Sequence, residues 1–294
     1  MRCRSAAWFV GPALLFSSLA GLAAPARSAE AMPMAGQLRT SAPALAGSDP
    51  ITGPRSHLNR DWIGLRPAEA DTPILVLAGH ADSQGIAGSG TSGAAVAAGA
   101  PPMYPGISDE LYWNMVVAEA VVALGQQRGL RISTYRPPFR TISDGNDPGT
   151  NWSVGRQHAA AGGYALEIHF DAWGPDGVGS GLIPPLHRPF GRLDESLAEA
   201  FGGFPMAFRG GLGGPRRGIA LLEVGKLEGR LERSLRNPAT RPDTVLAIAN
   251  RIVTALEVGL GRGPTTTAQP LTPQPGGVGS ALPGKGLQAS SGGE

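Results

Sequence analysis

Cysteine is all but missing from this chain. The single one, Cys3, lies in a basic start ahead of an apolar stretch. A chain cut after that stretch has no disulfide and no thiolate metal site. Nor is a cysteine ahead of the apolar run placed for lipid attachment. Basic runs are missing as well: the formal net charge is +2, and no Lys/Arg cluster is interleaved with aromatics. Nucleic acid is therefore not an expected partner. Beyond residue 31 no stretch is long and apolar enough to span a bilayer, so no stable membrane insertion is expected once the first segment is removed. What is in excess is Gly (44) and Pro (27), nearly a quarter of the 294 residues. That is too much for one compact domain and marks linkers or tails.

The excess is unevenly spread. Residues 1–31 carry Arg2 and Arg4, then "AAWFVGPALLFSSLAGLAA", then small residues suited to cleavage, which is the pattern of an export signal. Losing Arg2, Arg4 and Arg27 with it leaves the remainder close to neutral. The expected destination is the periplasm or cell envelope. Residues 32–70 are rich in Ser, Pro, Gly and Ala and read as a linker or loosely ordered arm. Residues 263–294 have almost no large apolar group and cannot offset ordering entropy, so a disordered tail is expected. The folded part is 71–262.

Within it, apolar runs alternate with helical patterns. Strands are expected over 73–79, 130–136, 163–170 and 218–225, and helices over 108–129, 193–201 and 241–260. Ser108 is a candidate N-cap, Asp109 and Glu110 suit the positive end of that helix, and Gly129 is a stop. The fold class is α/β: a twisted, mostly parallel or mixed sheet with helices on both faces.

Ligands of open α/β sheets bind beyond the carboxyl ends of the strands. The first strand ends in Gly79–His80. The third, "YALEIHF", ends in His169, with Glu167 on the same face. The fourth carries Glu223, and Glu110 opens the first helix. Two neutral imidazoles and one carboxylate form a tripod that suits Zn²⁺ and leaves one position for water. The expected ligands are His80, Glu110 and His169, with Glu223 as the acid/base that moves a proton from water to a leaving amine. Spacings of 30, 59 and 54 residues contain no short zinc signature.

Four segments carry a resemblance. "ILVLAGHADSQG", "ELYWNMVVAEAVVALGQQRGLRISTYR", "YALEIHFDAW" and "ALLEVGKLEG" resemble, in order and approximate spacing, the zinc-dependent N-acetylmuramoyl-L-alanine amidases of cell walls. Glu110 and Asn114 fall on that family's Glu-x-x-x-Asn helix. The resemblance implies Zn²⁺ on His80, Glu110 and His169, a catalytic Glu223, and peptidoglycan or a muropeptide as substrate; an activator protein is not identified by it. Departures are equally specific. Ala81–Asp82 stand where the family has Gly-Gly, Glu167 where it has a small residue, and Asp171 where it has Asn. Glu167, Asp171 and Asn114 are candidates for supporting the metal ligands. The loop ahead of Glu110 is lengthened by "GIAGSGTSGAAVAAGAPPMYPG" and is expected to form a rim or lid.

Other readings remain. A different zinc amidohydrolase or carboxypeptidase on a similar sheet would need a cation for a substrate carboxylate, for which Arg136, Arg140 or Arg217 could serve. A non-catalytic wall-binding homologue would keep the fold without the chemistry. "GSGTSG" (88–93) matches a dinucleotide fingerprint, but Gly88 lies ten positions beyond Ala78, whereas such glycines follow the strand directly. His158 and His187 are expected at the surface, and His57 in the arm.

Overall fold

The structure is a computed structural model, and it describes residues 49, 51–53, 67–170, 179–186, 190–204 and 211–263. The export signal, most of the arm, the tail beyond Gly263, His57, Asp171 and His187 lie outside the described residues. The described strands are β1 (Ile74–Ala78), β2 (Ile132–Tyr135), β3 (Tyr164–His169), β4 (Gly181–Ile183) and β5 (Ala220–Glu223). The described helices are α1 (Gly93–Ala97), α2 (Asp109–Gln127), α3 (Asn151–Ala160), α4 (Arg192–Phe201), α5 (Gly213–Arg216), α6 (Gly229–Arg236) and α7 (Arg241–Gly259).

The strands form one sheet in the order β2-β1-β3-β5-β4. β1 pairs in parallel with β2 and β3, β3 with β5, and β4 runs antiparallel at the edge. A mixed α/β sheet was the expectation. Alternation along each strand gives it two apolar faces. Ile74, Val76, Leu166, Ile168, Ala220 and Leu222 face the larger core, which they share with α2, α4 and α7. Leu75, Leu77, Ala165 and Ile219 face the smaller one, against Trp152 and Val154 of α3. A strand buried on both sides must be apolar throughout, which is why β1 reads as an unbroken run.

The helix ends follow local chemistry. Ser108 Oγ accepts from Leu111 N at 3.2 Å, so it caps α2 as expected. Gly129, at φ 75°, takes the left-handed turn after that helix, and Leu130 N returns to Gly125 O at 2.9 Å. Among the described residues, α3, α5, α6, α1 and β4 were not anticipated. α3 buries only Asn151 and Gly155, so it shows no apolar stripe. α6 does carry one, at Leu231 and Leu235, but spans only eight residues.

His158, expected at the surface, is half-buried instead. Its Nε2 lies 3.0 Å from Pro73 O and ties α3 to the start of β1. No described helix is long and apolar enough to cross a membrane.

Asp194 links α4 to the sheet. It is fully buried and accepts from Tyr164 Oη at 2.9 Å and from Gly191 N at 2.7 Å. Asp194→Ala removes the acceptor of both bonds. The expected loss is about 2–3 kcal/mol, read from urea unfolding with an unchanged slope.

Candidate metal centre

β1 lies between β2 and β3, so the chain leaves it toward one side of the sheet and returns on the other. The gap between β1 and β3 is therefore the switch point, where ligands of open α/β sheets bind. His80 follows β1 at that point, and His169 ends β3 beside it. The imidazoles meet edge to face, with ring centres 4.7 Å apart. Glu110, in the first turn of α2, completes the group: one ligand atom from each residue lies within 4.8 Å of the other two.

Glu110 Oε1 is the meeting point. It lies 3.2 Å from His80 Nε2 and 3.2 Å from His169 Nδ1, and it accepts from Phe170 N at 3.3 Å. Oε2 accepts from Thr91 N at 2.9 Å. The carboxylate is 5% exposed. Burial pushes its pKa up, but the His80 charge and both imidazole contacts outweigh this and hold it well below the usual range. Burial likewise opposes the charged form of His169, while Glu110 and Glu167 draw its pKa well above the ordinary value.

The donor set could hold a metal ion, and two of its three edges suit zinc. Ligands on a tetrahedral zinc are separated by roughly 3.3–3.6 Å when each bond is about 2.0–2.2 Å. The two edges through Glu110 are close to that length at 3.2 Å each.

The surrounding residues leave little freedom. His80 has φ 63°, the one described non-glycine residue in the left-handed region. Gln84 Nε2 donates to its carbonyl at 3.0 Å, and Ser89 Oγ lies 3.0 Å from its Nδ1. Ser83 and Ser89 are hydrogen-bonded to each other. Gly79 is required by space, since a Cβ there would stand 2.3–2.6 Å from the His169 ring. Asn114 Nδ2 donates to Gly79 O at 3.0 Å, so it holds the end of β1 rather than either imidazole directly. Asn151 Nδ2 does the same for Ala78 O at 2.6 Å. Asp82 accepts from Asn151 N at 2.6 Å, and its pKa is raised chiefly by burial.

The remaining candidates divide. Glu223 is paired with His169 across β3 and β5, on the same face of the sheet. Glu167 Oε2 lies 3.6 Å from His169 Nε2. A cavity of about 350 Å³ opens over the group, lined by His80, Asp82, Glu167, His169 and Trp152. Ile86 to Ser89 form part of its wall, so the lengthened loop does border the site. Arg217 stacks on Trp152 at 4.5 Å. Arg136 is exposed and paired with Glu119, and Arg140 is exposed. A larger depression of about 550 Å³ between α4 and α7 includes Glu199 and Arg251 but no histidine.

The loop glycines do not make a phosphate site. In the five-residue α1, Ala95 N donates to Glu232 Oε1 and Oε2 at 2.9 and 3.0 Å, and Ala94 N to Leu227 O at 2.9 Å. The Glu232 carboxylate already occupies the place a phosphate would take.

Ser89 and Thr91 escaped the sequence reading. Both lie in a run of small residues with no periodicity, and their roles depend on where the backbone turns.

Gly79→Ala is expected to displace the His169 ring and weaken metal binding at this group about tenfold or more without loss of helix content. Zinc titration with circular dichroism checks this; unchanged affinity would contradict the close approach.

No protein-family profile and no curated relative matches the chain. Solved structures do. The catalytic domain of CwlV, an N-acetylmuramoyl-L-alanine amidase from Bacillus (Paenibacillus) polymyxa var. colistinus, is 16% identical, with 64% of this chain and 98% of that one covered and a TM-score of 0.43. The apo form of the N-acetylmuramyl-L-alanine amidase Ami1 from Mycobacterium abscessus is 17% identical over 67% of this chain and 100% of that one, with a TM-score of 0.41. The amidase AmiC2 of Nostoc punctiforme is 15% identical over 65% and 98%, with a TM-score of 0.41.

Proposed function

We propose that this chain is a zinc-dependent hydrolase that cuts the amide between N-acetylmuramic acid and L-alanine in peptidoglycan. The observation that carries the reading is the meeting of His80, Glu110 and His169 at the switch point of the sheet. The order of the four motif segments around that group supports the choice of bond. The basic start and apolar stretch ahead of the folded part support action outside the cytoplasm.

His80 Nε2, His169 Nδ1 and Glu110 would hold the ion. Zinc, when bound, polarises a carbonyl and lowers the pKa of water. Glu223, beside His169, takes the proton of the attacking water and delivers it to the departing amine. One water is consumed, the N-acetylmuramic acid carboxylate forms, and L-alanine leaves with a free amino group. The cavity walls limit access: Trp152 offers an apolar platform, and Ile86 to Ser89 border the entrance.

A second reading has one observation in its favour. Arg217, which does not itself line the cavity, is stacked on the Trp152 that does, and from there it could reach toward a substrate carboxylate. That would suit a zinc amidohydrolase acting on a small acyl-amino acid.

Digestion of purified peptidoglycan with analysis of new amino termini decides between them. The expected product is stem peptide beginning with L-alanine. Glu223→Gln should retain zinc and lower the rate by about 10²–10⁴-fold. Cleavage of a different amide would favour the second reading. A zinc-loaded protein that releases nothing would leave a wall-binding role.

A further inference from the structure

The two imidazoles of the centre differ in what holds their outer nitrogens. His80 Nδ1 meets the hydroxyl of Ser89. His169 Nε2 is buried and has no hydrogen-bond partner among the described residues. The Glu167 carboxylate lies 3.6 Å from it, and Glu223, across the neighbouring strand, also acts on the ring electrostatically. That distance exceeds a hydrogen bond, so the contact as it stands is electrostatic; closing it by a few tenths of an ångström would make it one.

Glu167 is 3% exposed, so it is not a solvated strand end. Its place is made by a missing side chain: a Cβ on Gly214 would stand 2.9 Å from Glu167 Oε2. The His169 ring is relieved in the same way by Gly79. Two glycines on separate segments thus leave room for this ring and this carboxylate together. The alternation of β3 puts both on one face, two residues apart.

The pairing has a consequence for the ring. A neutral imidazole carries its proton on one nitrogen and a lone pair on the other. A lone pair on Nε2 would face a carboxylate in a poorly solvated site, which is repulsive. A proton on Nε2 is attracted to it; the lone pair then left on Nδ1 lies 3.2 Å from Glu110 Oε1, an arrangement that stands only with a cation shared between those two atoms. Metal-bound histidines commonly donate their other N–H to a carboxylate in this way. We infer that Glu167 is a positioning residue: it holds His169 in the Nε2–H tautomer and so presents Nδ1 to the metal. The inference rests on the zinc reading of the site. It is a feature of this chain, since Glu167 stands where the motif it resembles has a small residue.

The test is Zn²⁺ affinity of the purified full chain by chelator competition, for the wild type, Glu167→Ala and Glu167→Gln. Glu167→Ala should bind about 10–100-fold more weakly. Glu167→Gln should stay within about threefold of the wild type, because its amide oxygen accepts the same N–H. ¹⁵N spectra of the zinc-loaded wild type should show His169 protonated on Nε2. Wild-type affinity in Glu167→Ala would overturn the inference and leave the metal site standing. Equal loss in both variants, or a proton on Nδ1, would also overturn it. A wild type that binds no zinc would remove the metal reading itself, and this inference with it.

Discussion

A single buried carboxylate oxygen organises this structure. Glu110 Oε1 receives His80 Nε2, His169 Nδ1 and Phe170 N, three groups from two strand ends that neighbour each other in the sheet. A carboxylate in that position is tolerated only while cationic, N–H or metal partners surround it. The partners are on separate segments, so the cost of burying Glu110 ties α2, the end of β1 and the end of β3 into one arrangement. Thr91 adds the loop between β1 and α2, bonding the Glu110 side chain through its N–H and the Glu110 backbone through its carbonyl.

Close packing of backbone against imidazole is the second constraint. Gly79 touches the His169 ring, and His80 directly after it turns into the left-handed region. A chain that bends this sharply at a strand end gains no local stability from the bend. It is held by Gln84, Ser89 and Asn114, whose polar groups bind the bend's carbonyls and the His80 ring. Strain at a strand end, maintained by surrounding contacts, is common at functional sites.

Much of this was legible in the sequence, for reasons that can be named. Strands β1, β3 and β5 are buried on the face they share with α2, α4 and α7, and their apolar runs show it. Helix α2 announces itself through Ser108, Asp109, Glu110 and Gly129. His80, Glu110, His169 and Glu223 each sit at the end of a recognisable element, so a sheet topology was enough to bring them to one edge. The rest depends on tertiary contacts without a local signature. α3 buries two small or polar residues and looks like loop. β4 has only three residues. Ser89 sits among glycines and alanines, and only the path of the backbone brings its hydroxyl to His80. Alternation placed Glu167 on the face of His169, but the glycines that make room for it come from segments far away in sequence.

The most direct test of the account is anomalous diffraction at the zinc edge from crystals of the zinc-loaded protein. The account predicts one strong peak within bonding distance of His80 Nε2, His169 Nδ1 and Glu110. A peak at other residues, or none in a folded and fully loaded sample, would contradict it.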